Sequence, residues 1–470
     1  MTDYKNILII GAGEAGNLLR QDIEKNHSDL KVIGFVDDSI NDRTHKDFNI
    51  IGKIENLSKI NKIYRIDQMI IAIPSAEGAL IRRILQENFK NNISIKIVPR
   101  NQRVILENRV LYSELKDLSF EDFLGRPFLK YNIQLLKKFY KDKIIFITGG
   151  AGSIGSEIVR QILDLEVKKV IVYDNSEYLI FSIDQDLKEA GTDANRYQLI
   201  IGSILNASKL DAMIKQEKPD IIFHAAAYKH VYLMEDNADE AIMNNVVGTK
   251  NIVDIAIANK IQNFIFISTD KVVNPTSIMG STKKIAEYYI KCLPESQTKF
   301  TIVRFGNVIN SNGSVLPLFE RQISVNKSVT VTHKDVRRFF MSIREAAQLV
   351  VESASKDNHG EIYILDMGEL VNIYETAECL IRSKNLMPHV DIEIHLIGLK
   401  KGEKLIEELF TEKEKLNLVK TEMDNVFRLK NHEECPLNIQ QVIDDLRALA
   451  EENKSDQIKL YIKRIFPSIQ

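Results

Sequence analysis

Three stretches of this chain carry groups able to move protons or hold phosphates. Ser268, Thr269, Asp270 and Lys271 set hydroxyls, a carboxylate and an ammonium side by side. Met279 precedes Lys283 by four residues, so a helix there would put both on one face. Met279 offers only a thioether, a weak acceptor with no proton to exchange. Residues 145–155 read IFITGGAGSIG, with Gly149, Gly152 and Gly155 surrounding Ser153 and Ile154. Such glycines let backbone approach a pyrophosphate, and the N–H groups opening the next helix attract its charge.

Positioning these groups calls for a parallel α/β sheet. Ile144 to Ile147 is a short apolar run, and Ile158, Ile162 and Leu163 follow at helical spacing, which predicts strand, tight turn and helix. The TGxxGxxG spacing is looser than GxGxxG, so a purely structural glycine turn is the bland alternative. Context argues against it: KKVIVYD predicts a second strand ending in Asp174, where a Rossmann unit places the carboxylate for the adenine ribose hydroxyls. An acid at that point favours NAD over NADP. Ile221 to Tyr228 reads as a strand running into the small residues Ala225 and Ala226, and Asn244 to Ile257, with Asn245, has a helical period. Phe264 to Lys271 reads as a strand ending in polar residues. Side chains just beyond such a carboxyl end face the ligand crevice, which makes Ser268 to Lys271 the best-placed chemical groups. The alternative is that Ser/Thr-Asp only caps the next turn.

The pattern occurs twice. Lys5 to Ile23 predicts strand, loop and helix with GxGxxG at Gly11, Gly13 and Gly16, KVIGFVDD ends a second strand at Asp37 and Asp38, and Gln68 to Ser75 supplies a later one. The expected fold class is therefore α/β, with two Rossmann-like doubly wound parallel-sheet units, the second bearing a smaller C-terminal substrate lobe. The expected boundaries are 1–118 for the first unit, 119–142 for a lysine-rich connection, 143–431 for the dinucleotide unit, and 432–470 for a helical tail with Val442, Leu446 and Leu449 on one face. No strand of the first unit ends in a proton-transfer set like Thr269 to Lys271, so it reads as a binding or assembly domain. Tyr112 to Lys116 forms a YxxxK pattern ahead of the dinucleotide fold and reads as chance.

Composition limits the partners. A length of 470 residues suggests about three domains at ~150 residues each. With 63 Lys and Arg against 65 Asp and Glu, nothing points to nucleic acid. No apolar run approaches the ~20 residues of a membrane span. Three dispersed cysteines, Cys292, Cys379 and Cys435, argue against zinc and disulfides and for a reducing cytoplasm. The histidines lack ligand spacing, so no metal is expected.

The segments TGGAGSIGSE, YDNSEY, HAAAYKHV, NNVVGT, STDKVVNPTSIMGSTK, RFGNV, VTHKDVRRFFMSI, EIYILDMGE and KGEKLIEEL follow one another in this order. From about Phe123 to Phe410 the chain thereby resembles the extended short-chain dehydrogenase/reductases of bacterial polysaccharide biosynthesis, most nearly the UDP-N-acetylglucosamine 4,6-dehydratase family, in a form without N-terminal transmembrane helices. The resemblance implies hydride passing from carbon 4 of the sugar to NAD, loss of water across carbons 5 and 6, and return of the hydride to carbon 6. It implies Thr269 holding the 4-hydroxyl, Asp270 as acid toward the departing 6-hydroxyl and Lys271 as base at carbon 5. Asp270 then needs a raised pKa and Lys271 a lowered one. Met279 stands where a tyrosine is usual, as in the branch that retains configuration at carbon 5, and Lys283 lies by the nicotinamide ribose. NAD falls to Gly149, Gly152, Ser153, Ile154, Gly155, Asp174, Ala225, Ala226, Asn245 and Lys283, and the UDP-sugar to Lys229, His230, Asn307, Arg338 and Glu403. Homo-oligomers are common in this superfamily, so one is expected. Lys400, Ile406 and Tyr232 depart from the usual arginine, tyrosine and proline, which bears on sugar selectivity. Two other readings stand beside this one: a nucleotide-sugar epimerase or dehydrogenase, and a non-catalytic nucleotide-sugar-binding or redox-sensing protein.

Overall fold

The computed structural model describes residues 4–38, 49–88, 93–99, 109–120, 122, 132–311, 313–326, 328–356, 360–384, 386–423, 426–429 and 438–469. The chain forms two compact units, one of residues 1–128, 315–331 and 374–396, the other of 129–314, 332–373 and 397–470. Phe123, Asn431 and Cys435 lie outside the described residues.

In the first unit, β1 (Lys5–Ile10), β2 (Leu30–Val36), β3 (Ile50–Gly52), β4 (Gln68–Ile71), β5 (Ser94–Ile97) and β6 (Lys116–Asp117) form a six-stranded sheet in the order β3-β2-β1-β4-β5-β6. Only the β5–β6 pairing is antiparallel among these. Helix α1 (Glu14–Asn26) buries Leu19 and Ile23 with Ile7, Ile9, Phe35 and Ile70 of the sheet. The YxxxK residues do not work together: the Tyr112 hydroxyl donates to Gln68 Oε1 at 2.7 Å while Lys116 pairs with Asp122 at 3.0 Å.

In the second unit, α2 (Ile133–Tyr140) comes first, then β7 (Ile144–Thr148), α3 (Ser153–Leu163), β8 (Lys169–Asp174), β9 (Tyr197–Ile201), β10 (Ile221–His224), α4 (Gly248–Ala258), β11 (Asn263–Thr269), α5 (Ile278–Lys291), β12 (Lys299–Phe305), β13 (Glu361–Leu365), β14 (Leu418–Lys420), β15 (Val426–Leu429), α6 (Ile439–Glu451) and α7 (Ser455–Ile465). The nine-stranded sheet runs β14-β15-β13-β12-β11-β10-β7-β8-β9. From β9 to β13 it is parallel, and β15 and β14 close it antiparallel. Helices cover both faces, which explains why β7, β8 and β10 are apolar along their length instead of alternating.

Two local outcomes differ from the sequence expectation, and one element gains a buried face. The lysine-rich connection contains helix α2, whose other face buries Leu136 and Tyr140 in the core, where Tyr140 donates to the Val351 carbonyl at 2.7 Å. The helix expected from Asn244 starts earlier, at Ala238, and passes through a π turn, Met243–Val247, in which both Asn244 and Asn245 are buried. Cys292 is disulfide-bonded, against the expectation of free thiols, while Cys379 is free and buried. The tail forms α6 and α7, which bury Val442, Leu446, Ile458 and Ile462, with Leu449 packed at the margin.

Candidate active site

The glycine loop between β7 and α3 is shaped by what it cannot accommodate. Gly149 has φ +63°, and a Cβ on it would lie 2.5 Å from the Ala226 nitrogen. A Cβ on Gly155 would lie 2.1 Å from the Gly149 carbonyl oxygen, so only glycine lets α3 seat against the loop. Gly152 is the N-cap and supplies no side chain, which leaves the N–H groups at Ser153 and Ile154 facing outward along the helix axis. Asp174, at the end of β8, accepts from the Ala151 N–H at 3.2 Å and the Ser176 N–H at 3.0 Å. Loop and carboxylate are thereby fixed relative to each other. Ala225 and Ala226 continue β10 against Gly149. Asn245 braces them from behind: fully buried, it accepts from the Tyr228 N–H at 2.8 Å and donates to the Tyr228 carbonyl at 3.0 Å. It therefore positions the loop.

The parallel register aligns β7 with β10 so that Thr148 stands beside His224. Their Oγ1 and Nδ1 lie 2.6 Å apart, and Nε2 meets Thr249 Oγ1 at 2.9 Å. Burial, with the nearby Lys283, holds His224 neutral, its pKa well below the usual imidazole value. Lys283, on α5, is 5% exposed with its ammonium 3.9 Å from the Phe266 ring centroid. Burial pushes its pKa down to about 7. Met279, one turn earlier on α5, is buried in the apolar core.

At the end of β11 the chain turns through Asp270 to Val272, and alternation decides which residues face the crevice. Ser268 does not face it. Its hydroxyl donates to Glu287 Oε1 at 2.6 Å, part of a buried cluster in which Arg304 holds Glu287 at 2.6 Å and Glu414 at 2.7 Å. Thr269 donates to Asp270 Oδ1 at 2.9 Å. Lys271 Nζ lies 3.1 Å from Asp270 Oδ1, 3.1 Å from Asn307 Oδ1 and 2.9 Å from Glu407 Oε1. Glu407 also accepts from Asn307 Nδ2 at 2.7 Å and lies 3.3 Å from Arg338 Nε. Arg338 pairs in turn with Glu403 at 2.7 Å. Asp270, Lys271, Asn307, Arg338, Glu403 and Glu407 line a cavity of about 220 Å³ shared with His230 and Lys400, and Thr269 reaches it only through Asp270.

The electrostatics of this set are uneven. Burial, then the Glu407 charge, raises Asp270 to about 7 against the pull of Lys271. Its Oδ2 is buried without a hydrogen-bond partner among the described residues, which disfavours the charged form of the carboxyl. Glu407 stays ionised below the usual range: burial opposes this, but the Lys271 and Arg338 charges outweigh it. The lowered pKa expected for Lys271 is overturned in this arrangement. Burial and the Arg338 charge lower it, yet Asp270 and Glu407 together hold the ammonium above its ordinary value.

Thr269, Asp270, Lys271, Asn307, Arg338 and Glu403 thus form one connected set, with His230 on the same cavity. Lys229 is not in that lining; burial and Lys271 lower its pKa. Glu407, which links catalytic-looking and binding residues, was missed in the sequence, although it stands four residues after Glu403 and so invited the same attention. Among the described residues no His, Cys, Asp or Glu cluster is arranged to hold a metal, and no helix is long and apolar enough to cross a membrane.

A family model described as a polysaccharide biosynthesis protein matches residues 145–431. The chain belongs to that family. CapD of Staphylococcus aureus, a capsular polysaccharide biosynthesis protein, is 37% identical over 418 residues, covering 88% of this chain and 69% of that protein. EpsC of Bacillus subtilis, a probable polysaccharide biosynthesis protein, is 37% identical over 87% of this chain and 68% of its own length. Among solved structures, Pen from Bacillus thuringiensis aligns with a TM-score of 0.58 at 35% identity, over 63% of this chain and 91% of Pen. The family fold extends to DesIV of Streptomyces venezuelae, a dTDP-glucose 4,6-dehydratase with NAD and TYD bound, at TM-score 0.52, 20% identity, 66% of this chain and 98% of that one. A CoA-binding domain model matches residues 1–99.

Proposed function

We propose that the second unit is an NAD-dependent nucleotide-sugar 4,6-dehydratase acting on UDP-N-acetylglucosamine with retention at carbon 5. The observation that carries this reading is Asp270, a carboxyl near pKa 7 with one unpartnered oxygen, set against Lys271 in a cavity rimmed by Arg338. It is in keeping with the fold shared with DesIV, a dTDP-glucose 4,6-dehydratase, and with the polysaccharide-biosynthesis setting of CapD and EpsC.

The loop residues fit NAD. Gly149, Gly152, Ser153, Ile154 and Gly155 leave backbone for the diphosphate, Asp174 lies where ribose hydroxyls end, Asn245 supports Ala225 and Ala226, and Lys283 lies deepest. When bound, NAD supplies a reversible acceptor for the hydride of carbon 4. Lys283, with a pKa near 7, is able to exchange a proton at neutral pH where Met279 is not. Thr269 ties the sugar 4-hydroxyl to the proton-sharing set. Asp270 delivers a proton to the departing 6-hydroxyl through Oδ2, toward which Gly306 presents no side chain, a Cβ there lying 3.2 Å away. Lys271 serves as base at carbon 5 only after surrendering its own proton. Its ammonium lies 3.1 Å from Asp270 and 2.9 Å from Glu407, which hold it charged until sugar excludes water from the cavity and favours the neutral amine. In this reading Arg338 meets the diphosphate, as a guanidinium suits, while Glu403 and His230 on the same cavity, and Lys229 beside it, serve the nucleotide and sugar.

The test is product identity. Purified protein given UDP-N-acetylglucosamine should yield the 4-keto-6-deoxy sugar with unchanged carbon 5 configuration and no build-up of NADH. NMR showing inversion at carbon 5 would refute retention, and change confined to carbon 4 would favour the epimerase.

A further inference from the structure

Asn307 stands where the sheet of the second unit meets the cavity. It follows β12 across Gly306, and Asn307–Val308 pairs in parallel with Phe340–Met341. Its backbone N–H donates to the Phe339 carbonyl at 3.1 Å, which anchors the main chain. Both protons of its side-chain amide are committed, one to the same carbonyl at 3.2 Å and one to Glu407 Oε2 at 2.7 Å. The opposite orientation of the amide would press oxygen against a carbonyl and a carboxylate with no proton between them, and an NH2 group against an ammonium with no acceptor. Oδ1 is thereby fixed toward Lys271, whose Nζ lies 3.1 Å away.

With both amide protons spent, Asn307 has no donor for the UDP contact expected of its place in RFGNV. Its oxygen serves Lys271 instead. Three acceptors surround the Lys271 ammonium, Asp270 at 3.1 Å, Asn307 at 3.1 Å and Glu407 at 2.9 Å, and of these three the amide is the one without a net charge. The carboxylates orient Nζ but also tighten its hold on a proton, whereas the amide orients it with far less effect on the charge. A neutral amine keeps two N–H groups and gains one lone pair, so an N–H held by Asn307 fixes where the lone pair points. We infer that Asn307 is a positioning residue for Lys271, aiming its lone pair at carbon 5 of the sugar, and not a nucleotide ligand; this rests on the dehydratase reading.

Asn307→Leu nearly keeps the volume and removes every amide hydrogen bond. Asn307→Ser is too short to reach Lys271 and guards against a leucine variant that does not fold. Single turnovers of NAD-loaded protein with UDP-N-acetylglucosamine in deuterated water separate the steps: NADH absorbance follows oxidation at carbon 4, and NMR follows deuterium entering at carbon 5. Both variants should keep KM within about threefold of wild type and carbon 4 oxidation near its rate, while deuterium entry at carbon 5 slows by about 10²-fold, the effect of misplacing a reacting group by about 1 Å. A KM raised about tenfold with kcat preserved would make Asn307 a nucleotide ligand and overturn the inference. Equal slowing of both steps, the mark of general distortion, or carbon 5 exchange at the wild-type rate would overturn it too. Wild-type protein that forms no 4-keto product would instead refute the dehydratase reading, and the inference with it.

Discussion

Glu407→Gln should move the alkaline limb of the dehydration rate toward acid pH. Asp270 Oδ1 and Glu407 Oε1 each lie about 3 Å from the Lys271 ammonium, at 3.1 and 2.9 Å, so they stand within about 6 Å of each other. At an effective dielectric of about 20, two like charges at that distance repel by about 2–3 kcal/mol, equivalent to one to two pH units in the titration of Asp270. The sign follows from the acid role. Asp270 works protonated, Glu407 helps to keep the proton there, and an uncharged glutamine lets it leave at lower pH. The variant should therefore approach wild-type rates in mild acid and fall about tenfold or more behind at neutral pH. Glutamine still accepts from the Lys271 ammonium and keeps its neighbourhood filled, so lost packing is not the cause. Initial rates of 4-keto product formation against pH, at saturating sugar, provide the readout. A limb that stays in place, or shifts toward alkali, would refute the reasoning.

Other outcomes follow from the same geometry. Asp270→Asn should slow water loss by about 10²- to 10⁴-fold while the carbon 4 step survives, seen as NADH absorbance that forms and persists. Arg304→Met should cost about 3–5 kcal/mol, read as a lower Tm, because it leaves Glu287 buried and unpaired. Glu287, held at about 2 by Arg304 against burial, contributes stability that is present above its unfolded pKa and is lost as pH falls toward about 2; in Arg304→Met the melting curve should lose that acid dependence. Gly155→Leu should abolish retention of dinucleotide, measured by release from denatured protein, since even a Cβ there meets the Gly149 oxygen at 2.1 Å. Lys283→Met should raise Tm while abolishing turnover, because burial disfavours the charged ammonium and the apolar replacement removes that penalty.

Where chemistry sits at the end of a strand, the sequence was readable: β7, β8, β10 and β11 are apolar runs closing in Thr148, Asp174, His224 and Thr269, and topology alone carries those ends to one crevice. Ser268 shows the limit, since the strand's alternation turns it away toward Glu287, a partner no local pattern announces. Asn245 was legible as a residue beside the loop, but its hydrogen bonds to the Tyr228 backbone were not, because they depend on a π turn within its helix that leaves no local signal. The charge of Lys271 depends on Glu407, far along the chain, and pairings at such separation leave no periodic trace. Lys283 was legible as a residue and not as a titrating group, because its burial comes from Phe266 and the helices around it.

The most direct test follows one deuteron. UDP-N-acetylglucosamine labelled with deuterium at carbon 4, turned over in ordinary water, should give product with that deuterium at carbon 6, and unlabelled sugar turned over in deuterated water should acquire solvent deuterium at carbon 5. Substrate recovered with its label still at carbon 4, or product whose carbon 5 takes nothing from solvent, would contradict the dehydratase assignment of Asp270 and Lys271.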